Sequence, residues 1–194
     1  MSSTHLAWYV ARAGGITAWI AAGLAVVCGV LLGTRALGKK AGAPYLTALH
    51  RHFAFITVAA TVLHLIALIC DNYTHFTILD MVLPGHSAWK PIPITLGVLA
   101  LWLLAAVQCS SLAMRHLPRR WWRVIHLSSY AMFGLSGLHA VLAGTDLKTT
   151  GARLAALGGT AFVIFFTAYR ITGPNRHQAL AEARAKKVVP DRES

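Results

Sequence analysis

Five long stretches without a charged residue govern what this chain can fold into. Arg12 to Arg35 encloses 22 uncharged residues, Arg51 to Asp71 encloses 19, Lys90 to Arg115 encloses 24 and Arg123 to Asp146 encloses 22. A fifth run, between Arg153 and Arg170, encloses 16. A helix crosses the ~30 Å of bilayer hydrocarbon with about 20 apolar residues. The first four runs meet that length, and Leu154 to Tyr169 meets it if the flanking arginines snorkel to the interfaces. None of the runs alternates with period two, so membrane barrel strands are excluded and helices remain. The expected fold is an all-α polytopic membrane bundle of about five transmembrane helices. One domain covers residues 1–173, and a short basic tail follows over 174–194.

Composition narrows the class further. Charged residues make up 12% of the chain and hydrophobic ones 56%, against about 25% charged in a soluble domain. An ordinary soluble enzyme and a disordered segment are excluded. The balance of 18 Lys+Arg against 6 Asp+Glu, net +12, does not mark a nucleic-acid binder, because the apolar runs leave no soluble scaffold on which to cluster those cations. The first partner is membrane lipid.

The cations report orientation instead. Arg35, Lys39, Lys40 and Arg51 lie between runs one and two; Arg115, Arg119, Arg120 and Arg123 lie between runs three and four; Arg170, Arg176, Arg184, Lys186, Lys187 and Arg192 follow run five. Only Arg12, Lys90, Lys148 and Arg153 fall on the other side, together with Asp71, Asp80 and Asp146. The N-terminus is therefore expected outside and the C-terminus in the cytoplasm, in what reads as a bacterial plasma-membrane protein. Trp8, Tyr9, Tyr73 and Trp89 mark the outer boundary; Tyr45, Trp121, Trp122 and Tyr169 mark the inner one, as interfacial aromatics do. Run one exceeds the apolar core of a signal peptide and is kept as a span. Cys28, Cys70 and Cys109 are odd in number and differ in depth, so no disulfide framework or thiolate metal site is expected.

Histidine is the informative residue type. His50 and His64 lie in run two, His126 and His139 in run four, and the two runs are parallel by the orientation above. His64 follows His50 by 14 residues, about 21 Å of helix, and His139 follows His126 by 13, about 19.5 Å. Two pairs therefore stand at two matching depths. Imidazole ligates iron well, and a haem held axially from both faces requires two histidines facing each other across a gap between helices. Hydrogen bonding between helices, a proton relay or a transition-metal path are the other uses open to such residues. Thirteen regular steps set His126 and His139 about 140° apart, so run four must twist, kink or let a cofactor approach one of them from its flank. Gly134 and Gly137 are the expected place for that distortion or for close porphyrin contact.

Several motifs surround these histidines. They are His50-Arg51, Leu63-His64, the segment Lys90-Pro91-Ile92-Pro93-Ile94-Thr95-Leu96-Gly97, and Leu117-Pro118-Arg119-Arg120-Trp121-Trp122-Arg123-Val124-Ile125-His126. Tyr130 and Leu138-His139 follow, with Trp122, His126 and Tyr130 at i, i+4 and i+8. From about residue 46 to 146 the chain thereby resembles the ferric-reductase-like transmembrane domain. That family includes the membrane cytochromes of NADPH oxidases and the haem subunit of the periplasmic methionine sulfoxide reductase system.

The resemblance implies an inner haem b on His50 and His126, and an outer haem b on His64 and His139. It also implies a di-haem b-type cytochrome that carries electrons from a quinol or a separate cytoplasmic flavoprotein to an extracytoplasmic acceptor. Ferric iron, oxygen, or a partner protein bearing flavin or molybdenum would serve as that acceptor. The oxidases and eukaryotic ferric reductases carry a flavin- and nicotinamide-binding domain after the last span. Here 22 residues run from Gly173 to Ser194, fewer than the ~40 an independent core requires, so no such domain is expected in cis. The chain then reads as an electron-transfer subunit that leaves substrate chemistry to a partner. The rival reading is a histidine-lined metal or proton transporter without haem.

Secondary candidates lie beside the four histidines. His52 falls off the His64 face and reads as a neighbour of the inner haem or of a quinone. Arg51 and Arg123 read equally as positive-inside anchors or as partners of haem propionates, and Trp122 and Tyr130 read first as packing residues, with stacking near the porphyrin as the functional alternative. His75 and His86, in the segment Asp71 to Lys90, read as part of an interfacial loop.

Overall fold

The computed structural model describes residues 3–34, 43–71, 76–144 and 150–172. Arg35, Lys39, Lys40, Tyr73, His75, Asp146, Lys148, His177 and the basic tail lie outside the described residues, as do the side chains of His5, Arg153, Tyr169 and Arg170. Among the described residues every regular element is a helix: α1 (Ser3–Thr34), α2 (Ala43–Ile69), α3 (Ile78–Val82), α4 (Pro91–Leu112), α5 (Arg119–Leu127), α6 (Ser129–Ala143) and α7 (Thr150–Thr172). Four stretches are long and apolar enough to cross a membrane: Leu6–Thr34, Ala43–Ile69, Pro91–Leu112 and the α5–α6 stretch Arg119–Ala143. The fifth expected span is α7, whose apolar stretch Ala156–Ala168 is shorter. The chain is a polytopic helical membrane protein with lipid as its solvent.

Helix α1 is the central element. It packs along α2 on one side and against α6 and α7 on the other, while α4 packs against α6. Helices in lipid gain little from excluding water, so they associate where small side chains let backbones approach. Ala11, Gly14, Ala18, Ala21 and Ala25 supply that face on α1 and are buried. A Cβ on Gly14 would stand 3.1 Å from the carbonyl oxygen of Ala60 on α2. On the opposite side Trp19 stacks on Phe133 with ring centroids 5.1 Å apart. Around that pair a core of Ala22, Val26, Val27, Met132, Phe133 and Val163 joins α1, α6 and α7.

The expected distortion of the fourth span is present, but at Ser128 and not at the glycines. Ser128 has ψ −9°, short of the roughly −42° of a regular helix. Its N–H donates to Ile125 O, three residues back, at 3.1 Å, and its hydroxyl donates to the same oxygen at 2.6 Å. This tighter turn separates α5 from α6, between His126 and His139. Gly137 instead receives the Trp19 indole, with Nε1 3.1 Å from the Cβ position. Gly134 lies within α6 with no atom within 4 Å of its Cβ position.

Lys90 joins the α2–α4 connection to α6. Its backbone is left-handed, φ 44°, immediately before the Pro91 that opens α4. Its ammonium donates to the carbonyls of Ala143 at 3.0 Å and Leu142 at 3.4 Å, two oxygens at the end of α6 that lack helical donors. In the same connection Thr77 and Asp80 form a reciprocal capping box at the start of α3, and His86 Nδ1 lies 2.9 Å from the Asp80 carboxylate.

Candidate functional site

The structure brings the four predicted histidines together in two pairs. His50 on α2 and His126 on α5 face each other with ring centroids 5.9 Å apart and planes at 61°. His64 on α2 and His139 on α6 lie within electrostatic reach of each other. Helix α2 packs on α1 and makes no comparable packing against α5 or α6, so these rings meet across a gap between helices.

Each ring is held from behind. His50 Nδ1 lies 2.8 Å from Ala25 O, His64 Nδ1 2.6 Å from Ala11 O, and His139 Nδ1 2.7 Å from Pro93 O. A carbonyl only accepts, so each Nδ1 carries the proton and donates it. Nε2 is then the unprotonated nitrogen, on the part of the ring turned away from that carbonyl. This is the tautomer a metal-ligating histidine takes, with its other nitrogen anchored to fix the ring and raise its basicity.

A glycine accompanies each of the three carbonyls. Helical carbonyls point along the axis toward residue i+4, so a ring reaching such an oxygen from outside must pass the Cβ of that residue. The residues at i+4 from Ala11, Ala25 and Pro93 are Gly15, Gly29 and Gly97. A Cβ at these positions would meet the ring of His64 at 3.2 Å, of His50 at 3.5 Å and of His139 at 2.8 Å. His126 is held differently: its Nδ1 lies 3.5 Å from the Ser111 hydroxyl.

Sequence reading did not find these supporting residues. The signal was available, because Gly15 and Gly29, like Gly97 and Ser111, are 14 residues apart, the same interval that separates His50 from His64.

The secondary candidates divide. Trp122 stacks on His126 with centroids 4.9 Å apart and planes at 21°, and its buried indole N–H has no hydrogen-bond partner among the described residues. It also lines a cavity of about 570 Å³ with Met114, Arg115, Leu117, Arg119 and Arg123. Arg123 is therefore beside the His126 end of the gap, and the cavity is cationic. Arg51 and His52 are exposed on α2, His52 beside Phe53. Tyr130 packs against the α1–α6–α7 core.

The donor set fits a haem at each level. Each level offers two imidazoles, three of the four with Nδ1–H committed to a carbonyl, and a porphyrin bound there would supply the remaining ligands. Among the described residues no group of three or more His, Cys, Asp or Glu converges as a bare ion would require.

Bundle and site together define a membrane helical protein with a two-level histidine core. Family comparison matches residues 15–137 to the ferric reductase like transmembrane component. The chain belongs to that family, which makes it a transmembrane component of an electron-transfer system. No curated protein matches the chain, and no solved structure does.

Proposed function

We propose that this chain is a transmembrane di-haem b-type cytochrome, with one haem between His50 and His126 and a second between His64 and His139. The observation that carries the reading is the shared tautomer of His50, His64 and His139, each with Nδ1–H spent on a helix carbonyl across the α1–α2 or α4–α6 contact. A histidine that served only packing could use either ring nitrogen, whereas all three of these donate from Nδ1 and leave Nε2 unprotonated. Haem iron between two imidazoles takes up and releases a single electron without binding substrate.

The chain's residues do the rest. Four imidazoles, three of them anchored on carbonyls, set the two levels about 20 Å of helix apart, among apolar helices. The positive-inside distribution of Arg115, Arg119, Arg120 and Arg123 assigns the His50–His126 level to the cytoplasmic side, with the N-terminus outside, the C-terminus inside and α7 as the fifth span. Trp122 and the arginine-lined cavity adjoin that level and suit anionic propionates or the approach of a donor. The donor in this reading is a quinol or a separate flavoprotein. The acceptor is extracytoplasmic: ferric iron, oxygen, or a flavin- or molybdenum-bearing protein. The cytochrome hands electrons on and leaves substrate chemistry to that partner.

Purified protein tests this. A Soret band that shifts on dithionite reduction and a haem-to-protein ratio of two are expected. His139→Ala should bring the ratio to one, with the remaining haem still reducible. A colourless folded preparation would overturn the cytochrome and turn attention to metal or proton transport. Loss of both haems, or of neither, would overturn the pairing by depth.

A further inference from the structure

At three of the four histidines the ring donates straight to a backbone carbonyl, over a glycine four residues further along the helix. The fourth position breaks this pattern. Counting 14 residues from Pro93 and Gly97 along α4 reaches Val107 and Ser111, where the pattern would put the carbonyl and the glycine serving His126. Ser111 carries a side chain there, and its hydroxyl donates to Val107 O at 2.7 Å. Ser110 donates to the same oxygen at 3.0 Å. The Ser111 hydroxyl has spent its proton on the carbonyl, so toward His126 it accepts, and the Nδ1–Oγ separation is 3.5 Å. Elsewhere the ring nitrogens reach their carbonyls at 2.6 to 2.8 Å.

We infer that Ser111 is a positioning residue that holds His126 off the Val107 carbonyl and so makes the haem at the His50–His126 level easier to reduce than glycine at 111 would. The inference rests on the two-haem reading above. An Nδ1–H donated at short range to a carbonyl enriches the imidazole in electrons and favours ferric iron. A long contact to a hydroxyl whose own proton is committed enriches it less and favours ferrous iron. The half-reaction is one electron added to ferric haem to give ferrous haem, with no bond formed or broken. Only one of the four ligands carries this change, so the two levels differ by construction. His126 remains oriented from its other side by the Trp122 stack.

The test is a spectroelectrochemical titration of the whole purified protein, with dithionite as reductant. In Ser111→Gly the Val107 carbonyl opens to the ring, as at Gly97. One of the two reduction waves should then move to lower potential, by about tenfold in the ferric-to-ferrous ratio or about 59 mV for one electron, while the other stays. Ser111→Thr keeps the hydroxyl and should titrate like the wild type. Ser111→Ala keeps a Cβ over the carbonyl and should not reproduce the downward move. An unmoved or raised wave in Ser111→Gly with two haems bound would overturn the inference. So would a downward move in Ser111→Ala, or loss of haem from Ser111→Gly while Ser111→Thr keeps it, which would make Ser111 structural. A wild-type preparation without haem would instead overturn the two-haem reading and this inference with it.

Discussion

A Cβ on Gly97 would stand 2.8 Å from Nδ1 of His139, closer than real Cβ contacts, whereas on Gly29 it would meet His50 Cε1 at an ordinary 3.5 Å. The same ring-over-glycine device therefore has unequal tolerance at its two ends. Gly97→Ala should push the His139 ring off Pro93 O and, under the two-haem proposal, lower the haem-to-protein ratio from two toward one. Gly29→Ala should keep both haems and gain up to about 1 kcal/mol of helix propensity. Haem content and thermal unfolding of the two variants check this, and equal damage from both would show that ring clearance is not the reason for the glycines.

Trp19 ties three helices. It stacks on Phe133 at 5.1 Å, and its indole fills the space over Gly137 and Gly159 at 3.1 and 3.3 Å. Trp19→Ala should cost about 3–5 kcal/mol through the cavity left behind, read as a lowered melting temperature in detergent. Trp19→Phe keeps the stack and should lose clearly less.

Lys90 combines an uncommon backbone with a tertiary cap. Lys90→Ala removes the ammonium from the last carbonyls of α6 and leaves a non-glycine residue at φ 44°. The expected loss is about 1 kcal/mol, with faster amide exchange in the α6 end around Ala140–Gly144. Lys90→Gly loses the same cap but relaxes the backbone, so it should be the milder of the two.

Acid should loosen the α2–α4 connection before the spans. The Thr77 hydroxyl, then His86 and the Thr77 amide, stabilise the charged Asp80 carboxylate and hold it down to about 2, from an ordinary 3.8. A depressed carboxylate contributes its stability above the ordinary value and loses it as pH falls through the native one. The capping box should be intact above about pH 4 and melt toward pH 2, seen as protease sensitivity near Ile78–Val82. Asp80→Asn should remove that pH dependence.

The span boundaries were legible in the chain because lipid reads composition directly: an uncharged run of 19 to 24 residues ends where the described helices end, near Thr34, Ile69, Leu112 and Ala143. The four histidines were legible for a related reason, since depth along a helix is a matter of counting. Run four shows where counting stops. Its periodicity required a distortion between His126 and His139 and its composition pointed to Gly134 and Gly137, yet the turn tightens at Ser128. There a serine hydroxyl can satisfy the carbonyl that the break exposes. Tyr130, one helical turn beyond His126 by spacing, packs against the α1–α6–α7 core.

What the amino-acid order determined by itself was local: helices, their apolar lengths, and imidazoles at two depths. Tertiary structure alone decided which nitrogen is protonated in His50, His64 and His139, since the accepting carbonyls come from residues 25, 53 and 46 positions away. The same long-range contacts set Gly15, Gly29 and Gly97 under three rings and Ser111 under the fourth. A carbonyl becomes an acceptor for a distant ring only when two helix backbones approach closely, and that approach depends on every small residue along both faces.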